Sequence, residues 1–462
     1  MSSSELVGVV GLGVNNRPLV PFLLSQGYRV AVFDRRGTSE LEVELSQLGI
    51  KGGVAIYGGP RYLQELLEQP VTTIYLTPGM RKFGAEIDQL ALRGVRFSCE
   101  TEVFLQHCPA PVIGITGSAG KTTTTTLVGE SLRRDGRRSV FVGGNIGQPL
   151  LPRLGEIDPS SWVVLELSSF QLDLVRQSPH GACILNMRPN HLDVHRDYAD
   201  YRGAKANIAR YQSKEDWVVL PYGDSEVQAM VADCEGRPVY FSLQGEIPHG
   251  AYCQDSQLWW RGGNGAHPVL DRSALKLVGE HNVANALAAI AIVASAGGDL
   301  RAAGDALESF SGIPHRLEIV REVDGVTYIN DSIATSPDRT AAALKAIRER
   351  MVLILGGYDK KLNYDALGEA LRESSVRLVV ALGATRETIA RVVERDTDIE
   401  VIRAESFDDA VLTAGREARG GETVLLSPAA ASYDMFSNFE ARGQRFRELV
   451  GMLSRSRTGL VE

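Results

Sequence analysis

Thr116-Gly117-Ser118-Ala119-Gly120-Lys121-Thr122-Thr123 is a run of small residues that ends in a lysine and two hydroxyls. It follows a short apolar segment, Val112 to Ile115, that reads as a buried strand, and it precedes a helical pattern. A loop of this kind turns backbone N–H groups onto phosphate oxygens, and the helix behind it adds the positive end of its dipole. Lys121 is placed to reach the β- and γ-phosphates of a nucleotide, and the Thr122 hydroxyl to ligate Mg²⁺. The generic spacing G-x-x-x-x-G-K-[ST] needs a glycine at position 115, where Ile115 stands, so this is a variant phosphate loop. Gly117 to Thr123 are the expected phosphate contacts of ATP. The run of threonines from Thr122 to Thr126 goes against helix propensity. Thr122 is expected to hold metal and Thr123 to cap or touch phosphate, with Thr124 to Thr126 packing or back-bonding.

"WVVLELSSFQLDLV" puts Glu166 near the end of a strand, where an acid beside a phosphate loop completes a Mg²⁺ site. "ILNMRPNHLDVHRDYADYRGAKANI" carries Asn186, Asn190, His191, Asp193, His195 and Lys205. His191 and His195 have the spacing of a zinc pair on one helix face, but Pro189 favours a turn there. Lys205 lies in a helical stretch and, taken alone, reads as a solvated lysine.

These residues need elements to carry them. Strand-like runs alternate with helical patterns along almost all of the 462-residue chain, which is the α/β signature. In the first section a strand (Val7 to Val10) meets a turn at Gly11 and Gly13, then a helix, then a strand ending at Asp34. This predicts a Rossmann-like unit in which Asn16 replaces the third fingerprint glycine. Asp34 can bond a ribose or base, or simply be solvated. Thr77-Pro78-Gly79 follows a further strand at the same sheet edge. Pro109-Ala110-Pro111 reads as a linker into a central section, in which short strands and turns between Gln212 and Leu277 suggest a small antiparallel sheet. "MVLILGG", "VRLVVALGA", "IEVIRA" and "ETVLLSP" then form a second Rossmann-type alternation. The expected domains are residues 1–109, 110–312 and 313–462.

A formal charge of -8 offers no basic surplus for nucleic acid. No apolar run approaches the ~18 residues of a membrane span, and "MSSSELVGVV" has no signal-peptide pattern. Cys99, Cys108, Cys183, Cys234 and Cys253 include no C-x-x-C pair and read as small buried hydrophobes in a reducing compartment. A cytoplasmic monomer acting on small molecules is expected.

"GITGSAGKTTT", "GGNIGQPL", "ELSSFQL", "NHLDVH", "YRGAKANI", "GEHNVANALAA", "GIPHRLE", "NDSIATSP", "GGYDKK" and "LLSPAAASYDMFSNFEARGQRF" resemble, in this order, the motifs of the Mur ligases. "ELSSFQL" and the last segment resemble the glutamate-adding branch. The resemblance covers about Val7 to Phe446 and implies a reaction. ATP phosphorylates the carboxylate of UDP-N-acetylmuramoyl-L-alanine, and the amine of D-glutamate attacks the acyl phosphate to give an amide, ADP and phosphate for peptidoglycan synthesis. It also implies site residues. Lys121, His191 and Lys205 would be catalytic. Thr122 and Glu166 would hold one Mg²⁺, and His191 with a carbamylated Lys205 a second. Asn282 would read adenine, while Arg316 and Asp331 would hold γ-phosphate and ribose. Asn145 would contact the muramoyl substrate; Val14, Asn15, Asp34, Arg35, Thr77 and Gly79 would bind uridine diphosphate. Thr335, Lys360, Ser432 and Phe439 would bind D-glutamate. Carbamylation needs a neutral amine, so a depressed Lys205 pKa is expected, and it creates an oxygen ligand suited to a hard cation. Hinges are expected near Ala110 and Gly312. The chain departs from the family pattern at Ile333, where lysine is common, at Asn190, where aspartate is, and at Ala430, where cysteine is. The competing readings are a related ligase for another amino acid such as L-glutamate, a folylpolyglutamate-synthase-like ligase, a nucleotide switch, and a dehydrogenase based on "GLG".

Overall fold

The apolar, β-branched runs form three sheets in the computed structural model, which describes residues 5–189, 194–277, 279–360 and 362–453. The chain divides into two compact units, Met1–Phe310 and Ser311–Glu462. No described helix is long and apolar enough to cross a membrane.

The first sheet contains β1 (Leu6–Val10), β2 (Arg29–Asp34), β3 (Val54–Gly58), β4 (Thr73–Leu76) and β5 (Arg96–Ser98), all parallel, in the order β3-β2-β1-β4-β5. The chain winds one way from β1 and then the other, which opens a crevice at the strand ends after β1 and β4. Gly11 closes that crevice tightly: its φ is 81°, and a β-carbon there would lie 2.7 Å from Thr77 Cγ2. Asn16, the departure from the glycine fingerprint, is fully buried. Its amide donates to the carbonyls of Val10 (3.3 Å), Gly11 (2.9 Å) and Tyr75 (3.4 Å), so it ties β1 to β4.

The second sheet contains β6 (Val112–Thr116), β7 (Val140–Gly144), β8 (Trp162–Glu166), β9 (Gly181–Ile184), β10 (Trp217–Pro221), β11 (Arg237–Ser242), β12 (Gly250–Gln254), β13 (Gln257–Gly262) and β14 (Gly265–Asp271). Their order is β14-β13-β12-β11-β10-β9-β6-β8-β7. This corrects the expected separate antiparallel sheet. β10, β11 and β12 continue the parallel sheet, and only β13 and β14 run antiparallel, at its edge. The reason is burial. The apolar helix Glu280–Ser295 packs across β9 to β13, so β10 is a covered strand, which suits parallel pairing. The crossover from β10 to β11 uses only the short helix Ser225–Met230, which is easily mistaken for a turn. Pro109–Pro111 does not separate the first two sheets into different units. They are joined by Lys82 Nζ, which donates to Asp173 Oδ2 (2.7 Å) and Phe170 O (2.9 Å), and by Gln177 Nε2, which donates to Leu105 O.

The second unit is built on β15 (Glu318–Val323), β16 (Val326–Asn330), β17 (Met351–Gly356), β18 (Val376–Leu382), β19 (Glu400–Arg403) and β20 (Thr423–Leu426). Their order is β15-β16-β20-β17-β18-β19, parallel except for the β15–β16 hairpin. The hairpin turns at Asp324 (φ 52°) and Gly325 (φ 76°), the Asp-Gly pair typical of two-residue hairpin turns. All five cysteines are free thiols, and Cys108 and Cys234 are only half-buried, in contrast to the expected burial of all five.

Asn16→Ala removes the donor for three carbonyls at the heart of the first sheet. It is expected to destabilise the chain by about 1–3 kcal/mol in denaturant unfolding; an unchanged midpoint would contradict the tie between β1 and β4.

Candidate active site

β6 lies between β8 and β9, at the point where the second sheet reverses direction, and the phosphate loop follows it directly. Two glycines shape the loop. Gly117 has φ 157° and Gly120 φ 83°, and a β-carbon on Gly120 would collide with the Asn285 amide oxygen. The helix Lys121–Asp135 starts at Gly120 with no side-chain cap and no acid in its first turn. Its dipole therefore faces the loop without an internal counter-charge, a setting that favours an anion. Two of the expected phosphate donors are turned elsewhere. Ser118 N–H donates to Asn186 O (3.1 Å) and Ala119 N–H to Asn186 Oδ1 (3.0 Å), while Asn186 Nδ2 donates back to Ala119 O (3.1 Å). The sequence pattern alone gives Asn186 no role; its place just beyond β9, beside β6, is what lets it clamp the loop. In the threonine run, Thr126 back-bonds to Thr122 O (2.8 Å). Thr124 and Thr125 are fully buried, and their hydroxyls have no partner among the described residues. Thr123 is half-buried at the first turn.

Lys205 is not a solvated lysine. It is 1% exposed on the helix Tyr198–Arg210. Its amine donates to Thr116 Oγ1 (3.1 Å) and Gly117 O (3.0 Å), and it lies 5.0 Å from the Tyr201 ring centroid. Lys121 Nζ donates to the same Gly117 carbonyl (2.9 Å). Burial first, and then the Lys121 charge, push Lys205 well below the ordinary lysine value, while Glu166 pulls the other way. Glu166 is buried at the end of β8, in register with Ile115. Its Oε1 accepts from Asn145 Nδ2 (2.8 Å), and its Oε2 has no hydrogen-bond partner among the described residues.

His191 and Asn190 lie outside the described residues. His195 precedes the helix and is held in place: Nε2 pairs with Ser169 Oγ (3.0 Å), Nδ1 with Asp200 Oδ2 (3.4 Å), and its ring stacks on Phe170. Among the described residues no cluster of three or more His, Cys, Asp or Glu side chains forms a metal site. Asn282, in the first turn of the helix Glu280–Ser295, accepts from Asn285 Nδ2 (3.4 Å), the residue packed on Gly120.

In the first sheet Val14, Arg35 and Gly79 are exposed and Asn15 and Thr77 half-exposed, all beyond the ends of β1, β2 and β4. Asp34 is buried and fully engaged. It accepts from Leu12 N (2.7 Å) and from Arg36 N, Nε and Nη2 (3.0–3.2 Å). Burial pushes its carboxyl up, but the Arg36 hydrogen bonds and charge, with Leu12 N–H, outweigh that and hold it below the ordinary value.

In the second unit Asp331 follows β16 and is 4% exposed. Its oxygens accept from Ser427 Oγ (2.8 Å) and Leu317 N (3.2 Å). Burial raises its pKa to about 6 against those bonds and the Arg316 and Arg339 charges. Arg316 and Lys360 are exposed, with Lys360 Nζ 5.6 Å from the Tyr433 ring centroid. Thr335 and Phe439 are half-buried and Ser432 is buried.

The family profile of the Mur ligase middle domain matches residues 115–293, and that of the Mur ligase glutamate ligase domain matches residues 315–430. A curated relative from Symbiobacterium thermophilum, named UDP-N-acetylmuramoylalanine--D-glutamate ligase, is 43% identical over 97% of this chain and 98% of its own. The chain belongs to the Mur ligase family. A relative of the same name from Acetivibrio thermocellus is 41% identical, with 97% of each chain covered. Among solved structures, the UDP-N-acetylmuramate-alanine ligase MurC of Thermotoga maritima shares the fold at a TM-score of 0.51 and 22% identity, over 96% of this chain and 99% of that one.

Mur ligases are ATP-dependent, generally with Mg²⁺. The donors here fit such a cation: Glu166 offers a buried oxygen without a partner among the described residues, beside a loop whose Thr122 opens the helix. A buried, unpaired carboxylate oxygen is costly unless a cation completes it. Where this Mur ligase carries Ile333, a cation stays close, because Arg339 Nη1 donates to the Ile333 carbonyl (3.0 Å). Ala430 is fully buried and its carbonyl is hydrogen-bonded, so its small side chain is accommodated.

Asp331 keeps its proton to about pH 6 in the native state, against 3.8 for an ordinary aspartate. The native state therefore binds the extra proton between those values, and stability falls as pH rises through that window. Asp331→Asn removes this loss. Its stability relative to the wild type should rise between pH 4 and pH 7 by up to roughly 3 kcal/mol, read from hydrogen exchange of the β16 and β20 amides. A difference independent of pH would contradict the buried, proton-holding carboxyl.

Proposed function

We propose that this chain joins D-glutamate to UDP-N-acetylmuramoyl-L-alanine at the expense of ATP, in peptidoglycan precursor synthesis. The observation that carries the chemistry is the convergence of Lys121 and the buried Lys205 on the Gly117 carbonyl, at the mouth of a helix that favours anions. The names of the full-length relatives support the choice of substrates.

In this reading the alanyl carboxylate attacks the γ-phosphorus of ATP and ADP leaves. The amine of D-glutamate attacks the acyl carbon, and the tetrahedral adduct expels phosphate to leave an amide. Lys121 steadies the charge of the transferring phosphoryl group, which needs positioning and neutralisation more than covalent help. A divalent cation held by Thr122 and Glu166 would add to that neutralisation. Lys205 is read as carbamylated, and with His191 it would hold a second cation; its depressed pKa supplies the neutral amine that carbamylation requires. Asn145, whose amide donates to Glu166, is read as the contact to the muramoyl substrate.

Residues 1–109 are read as the Rossmann-like domain for uridine diphosphate, residues 110–312 as the phosphate-loop domain for ATP, and residues 313–462 as the Rossmann-like domain for the amino acid. Val14, Asn15, Asp34, Arg35, Thr77 and Gly79 belong to the first assignment; Asn282, Arg316 and Asp331 to nucleotide; Thr335, Lys360, Ser432 and Phe439 to glutamate. The enzyme is read as a cytoplasmic monomer, in keeping with five free thiols.

Phosphate release should require ATP, the uridine substrate and D-glutamate together, with L-glutamate a poor substitute. No release with all three present, or release without an amino acid, would overturn the reading. Lys121→Ala should lower kcat by about 10²–10³-fold, the size expected for one electrostatic stabiliser. Lys205→Ala should be similarly impaired and regain turnover when short carboxylic acids replace the missing carbamate. Indifference to those acids would count against the carbamate.

A further inference from the structure

We propose that Arg442 is the positioning residue of the amino-acid site, a buried node that sets the four segments carrying Thr335, Lys360, Ser432 and Phe439. The identity of the amino acid rests on the reading above; the node rests on the geometry of the second unit alone.

Arg442 lies in the first turn of the helix Phe439–Met452 and is 1% exposed. Its Nη2 donates to Ser332 O (2.9 Å) and its Nε to Ser332 Oγ (3.0 Å). Its Nη1 donates to Ala430 O and Ala431 O, both at 3.1 Å. From these contacts the links run outward. Ser332 Oγ donates to Phe439 O (2.8 Å), which fixes the start of the helix. Ala431 O also accepts from Tyr358 N (2.8 Å), which attaches the segment leading to Lys360. Ser432 follows Ala431 directly, and Thr335 lies three residues beyond Ser332. A β-carbon on Gly357 would collide with Ala431 O and lie 3.1 Å from Arg442 Nη1, so the close approach of that segment requires glycine.

The four acceptors are carbonyls and a hydroxyl. A buried guanidinium usually faces a carboxylate; here the charge of Asp434 helps it, while burial lowers its pKa to about 10, so it remains a cation at neutral pH. The segments assigned to a dicarboxylate amino acid are thus organised around one buried positive charge. Only a planar fork can reach acceptors in these several directions at once, and an ammonium cannot.

The test compares Arg442→Lys and Ser332→Ala in the full chain. Arg442→Lys should raise the KM for D-glutamate about tenfold or more while the KM for ATP moves less than about twofold, the split of a residue that acts on one site. Ser332→Ala keeps the charge but cuts the link to Phe439, and should give a smaller rise of about threefold. In the absence of substrate, Arg442→Lys should also speed hydrogen exchange at residues 357–360 and 430–432. An unchanged glutamate KM, or equal shifts in both KM values with a lowered melting temperature, overturns the proposal in favour of a purely structural arginine. If Arg442→Lys fails to fold, Ser332→Ala decides by the same criterion. If the wild type does not use glutamate at all, the functional reading fails separately, and the exchange measurement still decides the node.

Discussion

One carbonyl oxygen receives two lysine amines. Gly117 O accepts from Lys121 Nζ at 2.9 Å and Lys205 Nζ at 3.0 Å, so the two nitrogens lie within about 6 Å of each other. At an effective dielectric of about 20, two cations at that distance repel by about 3 kcal/mol. Lys205 is the buried member of the pair and is the one pushed toward its neutral form. This constraint organises the rest of the site. It keeps the charge on the half-buried Lys121, at the helix start, and leaves an amine pushed toward its neutral form beneath the loop.

The elements around this pair follow from the way the sheet is wound. β6 sits where the strand order reverses, so its C-terminal end opens into a crevice rather than against a neighbouring connection. Positive φ at Gly120 and the pressure of Asn285 on it leave no room for a side chain. Asn186 and Tyr201, reached from β9 and from the helix that carries Lys205, hold the loop from the other side. In the first sheet the same reversal sets Val14, Asn15, Thr77 and Gly79 around the ends of β1 and β4, with Asn16 rather than a third glycine fastening the strands.

The second unit manages its charges differently. Asp331 is buried with neutral donors and keeps its proton to about pH 6, while Arg442 is buried with neutral acceptors and keeps its charge. Ser332 lies next to the acid and binds the base, so the two uncommon ionisations are neighbours on one segment. This segment thus joins an acid whose ionisation burial delays to about pH 6 to a buried cation that keeps its charge.

The amino-acid sequence alone determined the class of the fold and most of the chemistry, because those properties are local. Apolar runs of strand length predicted β1, β2, β4, β6, β8 and β17 to β20, and the glycine–lysine–threonine order predicted the loop and its helix. What it left open is set by contacts distant along the chain. Taken alone, Lys205 reads as a surface residue, and only the fold sets Thr116 and Gly117, nearly ninety residues earlier, against its amine. For Asp34 the sequence leaves a ribose or base contact and a solvated carboxylate equally open; the fold shows it buried, with Arg36 and Leu12 bonded to it. β10 to β12 read as a separate antiparallel sheet until the Glu280–Ser295 helix covered them. Arg442 carries no signal of its own in the sequence, since its acceptors are backbone carbonyls and one serine hydroxyl. Local pattern fixes which element a residue belongs to, but burial and the partners that shift a charge arise only when separate elements close on one another.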